Sequence, residues 1–438
     1  MKGELTIIMK REIPVNNEGH YTIGGLDSLE LAKKFGTPTI VYDVAKIKEQ
    51  IAKFKAGFEE ENVKYHISYA SKAFSSLAMY DLVAKSGIGS DVVSGGELYA
   101  ALKGGMDPQE LEFHGNNKSR AELEMAVDSN VGYIIVDNFY EIDLLNEVLT
   151  EKNKTANILL RLAPGIHAET HEYISTGQAK SKFGFDLQSG QASEALEKTL
   201  ANPRFKVLGV HSHIGSQIFA TAGFVEAAKK LMDFLSAWKE KYDFTAEVLN
   251  LGGGFGIRYT DQDEPLDVKD FVKIIVEAVK EKSKELNYPM PAIWIEPGRS
   301  VVGEAGVSLY TVGSRKDVEG VGSFVAVDGG MGDNIRPALY GAKYDAVLAK
   351  DPNAPIAQNA SIVGKFCESG DILIKDYDFP KTEPGDVIVM LSTGAYGYVM
   401  ASNYNRNPRP AIVFVEDGKA RLVVKRESYE DMIRNEIL

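Results

Sequence analysis

The amine of Lys72 has sequence neighbours that could make it reactive toward an aldehyde. It lies in the run YASKAF, residues 69–74, directly after a stretch that predicts a β-strand. Apolar and small neighbours would desolvate the amine and favour its neutral form, which condenses with an aldehyde to a Schiff base. A lysine at the end of a strand is more often simply solvated, so Lys72 alone does not decide the function.

A glycine-rich run could bind an anion. In LNLGGGFG, residues 249–256, Gly253 and Gly254 carry no side chain, so backbone N–H groups can approach a phosphate closely. The alternatives are a tight βα turn or a dinucleotide-binding loop. A dinucleotide loop belongs in the first unit of an open sheet, whereas this run comes late, which favours phosphate.

Two further motifs follow predicted strands. The motif EPGRS places Glu296 beside Gly298 and Arg299, which could serve a phosphate or a carboxylate, or form a structural ion pair. The motif HSHIGSQ holds His211 and His213 on one predicted face, a spacing that could bind a metal. No third ligand of metal-site type lies nearby, so stacking of His213 on a planar cofactor is at least as good an interpretation, and no metal is predicted.

The elements that must position these residues form a repeating pattern. Short β-branched or aromatic runs alternate with helix-period segments such as 224–242 and 268–286, which predicts βα units closed into a TIM barrel. A doubly wound open sheet is the alternative. In a TIM barrel the active site lies at the carboxyl ends of the strands, where all these motifs fall. The predicted strands are Lys64–Ala70, Ser90–Val93, Leu111–His114, Tyr133–Val136, Ile158–Leu162, Lys206–His211, Val248–Leu251 and Ala292–Glu296.

A different pattern follows residue 303. Strand-like runs separated by Gly, Pro, Asn and Asp predict a second, β-rich domain. We therefore expect an N-terminal segment, residues 1–40, which packs with the β domain, a barrel at 41–302 and a β-barrel domain at 303–438. The segment Pro164–Gly184 is too long for an ordinary connection and is predicted to cover the site.

Bulk properties narrow the class of protein. The chain has 438 residues, 44% of them hydrophobic, and a net charge of -13, which argues against nucleic acid or an anionic membrane as partner. The apolar stretch Leu5–Met9 is too short for a signal peptide or membrane span, so a cytoplasmic location is expected. A single cysteine, Cys367, excludes an intrachain disulfide framework.

Taken together, the motifs resemble those of the diaminopimelate decarboxylases. These are fold-type III pyridoxal-phosphate enzymes related to ornithine and arginine decarboxylases and, more distantly, to alanine racemase. The resemblance runs in the same order from about Pro38 to Asn407. It is carried by YASKAF, HSHIGSQ, LNLGGGFG, EPGRS, DGGMGDNIRPALYGA around Arg336, CESGD around Cys367 and GAYGYVMASNYN around Tyr396.

The resemblance implies a role for each motif residue. Lys72 would bind pyridoxal 5'-phosphate covalently, His213 would stack on its ring and Glu296 would pair with its pyridine nitrogen. A carboxylate there favours the protonated ring, a strong electron sink. The implied phosphate contacts are Ser216, Gly253, Gly254, Gly298, Arg299 and Tyr396, and Asp91 is expected to orient the lysine or the cofactor.

The resemblance also implies a substrate and an assembly. The substrate would be meso-diaminopimelate, whose distal carboxylate calls for cations that ornithine would not use. The chain would form a homodimer with shared active sites, in which Cys367 comes from the partner subunit and protonates the α-carbon. The implied substrate contacts are Arg299, Arg336, Tyr340, Glu368 and Tyr396.

Three other functions are compatible with the fold. A decarboxylase of another basic amino acid or polyamine precursor (ornithine, arginine, carboxynorspermidine) is disfavoured by Arg336 together with Glu368. A racemase would tolerate a less acidic ring partner than Glu296. A non-catalytic cofactor carrier should have lost Cys367 or the substrate arginines, which this chain keeps.

Overall fold

The computed structural model describes residues 11–166, 181–320 and 322–438. The chain divides into two compact units that alternate along the sequence. The β-rich unit comprises Met1–Lys48, Ile257–Pro265 and Val301–Leu438, and the barrel unit comprises Glu49–Gly256 and Leu266–Ser300. The central residues 167–180 of the predicted covering segment, and the apolar stretch Leu5–Met9, lie outside the described residues.

Strands and helices are numbered here in chain order. The strands are β1 Thr22–Ile23, β2 Leu26–Asp27, β3 Thr39–Asp43, β4 Tyr65–Ala70, β5 Gly89–Val92, β6 Leu111–Phe113, β7 Tyr133–Val136, β8 Ala156–Ala163, β9 Phe185–Asp186, β10 Phe205–His211, β11 Val248–Asn250, β12 Ala292–Ile295, β13 Gly306–Val318, β14 Gly322–Val327, β15 Ala346–Leu348, β16 Gln358–Val363, β17 Ile372–Phe379, β18 Val387–Met390, β19 Ala411–Glu416 and β20 Lys419–Val424. The α-helices are α1 Ser28–Phe35, α2 Val44–Glu61, α3 Leu77–Lys85, α4 Gly95–Lys103, α5 Arg120–Asp128, α6 Phe139–Glu151, α7 Gln191–Leu200, α8 Ala222–Tyr242, α9 Val268–Glu285, α10 Arg299–Val302, α11 Arg336–Tyr340 and α12 Tyr429–Ile433. Short 3-10 turns lie at Ser71–Ala73, Pro108–Glu110, Tyr398–Met400 and Tyr404–Arg406.

The barrel unit is a closed parallel barrel. Its strands follow the order β4-β5-β6-β7-β8-β10-β11-β12, and β12 pairs with β4 to close the ring. The short β9 adds a parallel partner to β8 outside this ring. The predicted TIM barrel is therefore confirmed, and the alternative of a doubly wound open sheet is wrong because that sheet would leave two free edges.

Local sequence explains how the βα units turn. Ser76, Ser94, Ser119 and Asn138 precede helices, and each side chain accepts a backbone N–H of the helix that follows. Such caps satisfy donors that the first helical turn leaves without partners. The strands themselves are apolar and largely buried, as expected for parallel strands covered on both faces. The polar residues at their carboxyl ends are therefore exceptions to that pattern.

The β-rich unit is built on a long sheet. Its strands follow the order β17-β16-β14-β13-β3-β19-β20, and β18 pairs with both β13 and β15. The early strand β3 pairs antiparallel with β13 and parallel with β19, so this N-terminal strand lies inside the sheet. The predicted second, sheet-rich region is confirmed. The domain boundaries at residues 40 and 302 stay predictions.

Strand bounds differ from the sequence prediction by only one or two residues. The prediction Ile158–Leu162, for example, corresponds to β8, which extends to Ala156 and Ala163. Among the residues that the structure describes, no helix is long and apolar enough to span a bilayer.

Candidate active site

Lys72 lies in a 3-10 turn at the carboxyl end of β4. Its neighbours Ser71, Ala73 and Phe74 are buried, but the lysine side chain itself is exposed. This differs from the desolvated amine that the sequence suggested. The turn buries the residues on both sides of the lysine, so its backbone is fixed while the amine remains accessible to a reacting carbonyl.

Asp91 holds that turn in place. Its Oδ1 accepts the backbone N–H of Ser71 at 3.0 Å, which ties the carboxyl end of β5 to the residue before Lys72. Burial raises the pKa of the Asp91 carboxyl to about 7. Asp91 is thus a buried acid that is hydrogen-bonded to the turn carrying Lys72, and its role toward the lysine or the cofactor stays a prediction.

A cluster of polar side chains fills the barrel interior beside Glu296. We call it the barrel cluster and define it as Glu112, His114, His211, Asn250 and Glu296. The carboxylate of Glu296 lies 3.1 Å from His114 Nε2 and 3.2 Å from His211 Nε2. Asn250 Nδ2 donates to Glu296 at 2.7 Å and to Glu112 at 2.9 Å. All five side chains are buried.

The charges in the barrel cluster are set by burial and by one another. Burial would make Glu296 neutral, but His114 and His211 hold the pKa of its carboxyl well below the usual range. Burial also opposes charge on His114, yet the nearby Glu296 raises the pKa of its imidazole to about 9. Burial lowers the pKa of His211 to about 4. At neutral pH the cluster therefore holds an ionised Glu296, a charged His114 and a neutral His211.

The predicted phosphate contacts of the barrel unit lie on turns, and the glycines among them have no room for a side chain. Arg299 begins α10, and its Nη2 and Nε donate to Ser216 Oγ at 2.9 and 3.2 Å. Gly254 has φ +118°, and a Cβ there would lie 2.3 Å from the Gly215 carbonyl oxygen. At Gly298 a Cβ would meet Ala70 at 2.8 Å. Backbone N–H groups on glycine turns and a guanidinium are the kinds of donor that bind anions.

His213 and Arg161 are two further polar groups of the barrel. Burial lowers the pKa of His213 well below its ordinary value, so its imidazole is neutral and suits stacking on a planar ring. Arg161, which the sequence analysis missed, lies on β8 with its guanidinium 4.3 Å from the centroid of Phe183. Its Nε lies 3.8 Å from Asp137.

A second group of side chains surrounds Arg336 in the β-rich unit. We call it the arginine box: Arg336 with Tyr259, Tyr340, Tyr344 and Tyr396. Arg336 Nε donates to the Tyr344 hydroxyl at 3.1 Å, and the guanidinium lies 5.3 to 5.9 Å from the other three ring centroids. Arg336 is buried. Among the described residues, no carboxylate lies within ion-pair distance of it.

Cys367 and Glu368 lie together on an exposed loop of the same unit. Both side chains are exposed, yet the loop backbone is fixed. The N–H of Cys367 donates to Asn405 Oδ1 at 2.8 Å. Asp371 Oδ2 accepts the N–H of Phe366 at 2.9 Å, while its Oδ1 accepts that of Met331 at 2.6 Å. The buried Asp371 thereby joins the Cys367 loop to the turn that leads to Arg336.

The structure corrects the reading of the histidines. The sequence paired His211 with His213 and found no third metal-type ligand nearby. Instead, His211 is grouped with His114 and Glu296, whose ligand atoms lie within 4.8 Å of one another. His114 ends one predicted strand and Asn250 is the penultimate residue of another, at the same rim as Glu296, so a signal for them existed. Tyr259 and Tyr344 lie in irregular segments, where no strand or helix pattern marks their positions.

Comparisons with known proteins agree with this arrangement. Residues 44–303 match the family model "Pyridoxal-dependent decarboxylase, pyridoxal binding domain". The chain is 56% identical to a diaminopimelate decarboxylase of Bacillus subtilis, over 96% of this chain and 95% of that one. It is 57% identical to that of Bacillus methanolicus, over 94% of this chain and 96% of the relative.

Solved structures give the same result. A diaminopimelate decarboxylase from M. jannaschii superposes with a TM-score of 0.91 at 37% identity, covering 97% of this chain and 98% of the other. A lysine/ornithine decarboxylase from Vibrio vulnificus, at 20% identity, 89% and 97% coverage and TM-score 0.74, shares the fold alone. The match to the family model and the identities above 50% show that this chain belongs to the diaminopimelate decarboxylases, a family of pyridoxal-dependent decarboxylases.

Proposed function

We propose that this protein decarboxylates meso-2,6-diaminopimelate to L-lysine and carbon dioxide with pyridoxal 5'-phosphate, the last step of lysine biosynthesis. The observation that carries the proposal is the arginine box. Arg336 is a buried cation whose described neighbours are phenols, so its charge is available to an anionic group of a ligand. The M. jannaschii relative, moreover, has been solved with L-lysine.

The barrel residues fit the cofactor. The exposed amine of Lys72 can bind an aldehyde, and the glycine turns with Arg299 and Ser216 offer donors to a phosphate. An ionised Glu296 suits a protonated ring nitrogen. When bound, pyridoxal phosphate supplies an electron sink that accepts the electron pair left on the α-carbon as carbon dioxide departs.

Glu296, Asp91 and His213 are proposed to have separate roles toward the cofactor and the lysine. Glu296 holds the proton of the ring nitrogen, because its carboxylate is kept ionised in a buried setting. Asp91 holds the backbone of the turn from which the Lys72 side chain extends. His213 stays neutral and provides a flat apolar face for the ring.

The distal end of the substrate would be recognised by charged side chains. Arg336 and Tyr340 are proposed to bind the distal carboxylate, while Arg299 and Tyr396 contact substrate or cofactor oxygens. A substrate without that carboxylate would leave Arg336 desolvated and without an anion, which costs several kcal/mol. Ornithine and arginine lack the group, so they should react poorly.

We further propose a homodimer with shared active sites and a cytoplasmic location. Cys367 and Glu368 are exposed on a loop whose backbone is fixed by Asn405 and Asp371, which suits delivery of both side chains to a partner subunit. There Cys367 would protonate the α-carbon and Glu368 would contact the distal ammonium group. Mixing Lys72→Ala and Cys367→Ala proteins should restore activity that each lacks, through mixed dimers with one intact site.

The reaction is tested directly on the protein loaded with pyridoxal phosphate. Addition of meso-diaminopimelate should give lysine and carbon dioxide in equal amounts, and Lys72→Ala should lose both the yellow absorbance of the bound cofactor and turnover. Lys85→Ala, at an exposed helical site, is the matched control and should keep both. A yellow protein that releases no carbon dioxide from diaminopimelate would contradict the proposed substrate.

A further inference from the structure

Within the barrel cluster, His114, His211 and Asn250 all contact the carboxylate of Glu296. Two histidine nitrogens and one carboxamide approach its two oxygens from β10, from the end of β6 and from β11. Each of these side chains is buried. The carboxylate is therefore restrained on both oxygens by side chains that the reaction itself does not use.

Asn250 has a fixed orientation. Its Oδ1 accepts the N–H of Gly252 at 2.9 Å, so its Nδ2 must be the atom that faces Glu112 and Glu296. Gly252 begins the glycine run of the proposed phosphate site. Asn250 thus connects the carboxylate for the ring nitrogen with the backbone that would receive the phosphate.

The charge balance of the cluster depends on His114. Glu112 and Glu296 are two buried carboxyl groups that share one carboxamide donor, the Nδ2 of Asn250. His114 Nε2 lies 3.1 Å from Glu296 and 3.7 Å from Glu112, so a protonated imidazole serves both.

Other charged and titratable groups face the cluster from every side. Asp91 on β5 acts on His114 and Glu296 through space, and Arg161 on β8 acts on His211. His66 on β4 approaches Glu112 at 3.6 Å, and Lys72 and His213 interact with Asp91 and Glu296 at longer range. Of these cationic groups, His114 is the one in direct contact with both carboxylates.

We propose that His114 and Asn250 are positioning residues that keep Glu296 ionised and fixed for the ring nitrogen of the cofactor. The inference rests on the proposed role of Glu296. Without His114, the buried Glu296 would gain a proton more easily, and the ring nitrogen would then lose its charged partner. The electron sink would weaken although every residue that touches the cofactor remained.

The test uses the loaded enzyme and pyridoxal phosphate labelled with a magnetic isotope at the ring nitrogen. The nitrogen resonance reports protonation directly, independently of turnover. In His114→Gln the pH at which the ring nitrogen loses its proton should fall by about one unit or more, a tenfold change in that equilibrium. Asn250→Ala should shift it in the same direction by less, because it removes a hydrogen bond but no charge.

His66→Gln is the matched control, since His66 approaches Glu112 but is not in contact with Glu296. It should titrate like the wild type. Circular dichroism and cofactor stoichiometry show whether each variant folds and loads, and Asn250→Ala keeps the test decisive if His114→Gln does not fold. Wild-type titration in whichever of these two variants loads would overturn the inference.

Glu296→Gln separates this inference from the proposed function. A shift in Glu296→Gln without one in His114→Gln or Asn250→Ala would reject the positioning role alone. No shift in Glu296→Gln would instead remove the proposed role of Glu296, and the inference with it.

Discussion

The barrel cluster and the arginine box differ in whether their buried charge has a partner of opposite charge within the protein. In the barrel, Glu296 is surrounded by His114, His211 and Asn250, so its charge is balanced before any ligand arrives. In the β-rich unit, Arg336 has phenolic neighbours and no described carboxylate partner. A charge that is already paired within the protein, such as Glu296, can serve a reaction step that many substrates share. A buried cation without a carboxylate partner, such as Arg336, instead favours a substrate that carries an anionic group.

The largest effect on activity is expected from removing the charge of Glu296. Glu296→Gln keeps the shape of the side chain but cannot stabilise a protonated ring nitrogen, so we expect kcat to fall by about two to three orders of magnitude. KM for diaminopimelate should change little, because Glu296 does not bind the distal end. Steady-state kinetics with saturating cofactor measures both, and a change confined to KM would contradict the assignment.

Removing the charge of Arg336 should change the preference of the enzyme between diaminopimelate and ornithine. Arg336→Gln is expected to lower kcat/KM for meso-diaminopimelate by about a hundredfold, the cost of losing a desolvated charge pair. Activity on L-ornithine should not fall in parallel, since that substrate has no distal carboxylate. Arg315→Gln, at an exposed site of the same unit, serves as the control. Equal losses on both substrates would show that Arg336 acts on folding or on the cofactor.

Asp371 tests whether the loop carrying Cys367 must be held. Asp371→Asn replaces one of two acceptors with a donor that faces the N–H of Met331 or Phe366. We expect kcat to fall by about tenfold, as for the loss of one buried, charge-assisted hydrogen bond. Asp376→Asn on the neighbouring strand is the comparison variant. An unchanged kcat would mean that the loop keeps its position without this carboxylate.

The smallest effect concerns stability against pH in the cofactor-free protein. His114 has its pKa raised from 6.5 to about 9, so its contribution to stability is complete below pH 6.5 and is lost as the pH rises through about 9. His114→Gln should therefore reduce the loss of thermal stability over that interval. Unfolding midpoints of wild type and variant, measured across the interval, test this; identical slopes would argue against a charged His114.

The sequence could predict the sites that depend on contiguous motifs. Lys72 and Glu296 lie within two residues of a strand end, and Ser216 and Arg299 lie on the turns that follow strands. The barrel brings the carboxyl ends of its strands together whatever the details of packing. The eight barrel strands were predictable for the same reason, because each apolar run is bounded by polar turn residues.

The contacts that tune those sites could not be predicted in the same way. Asn250 and Glu112 are 138 positions apart, and the His211 contact with Glu296 spans 85 positions, so each depends on exact side-chain geometry in the folded barrel. The arginine box draws Tyr259 from one segment and Tyr344 from another. A lone tyrosine or asparagine has no local pattern that distinguishes such a role from ordinary packing.

The central claim is that Arg336 makes the enzyme select a diacid, and one ratio tests it most directly. The measurement is kcat/KM for meso-diaminopimelate and for L-ornithine in a single preparation of the wild-type loaded enzyme. We predict a preference of at least about a hundredfold for diaminopimelate. Equal values, or a preference for ornithine, would contradict the account.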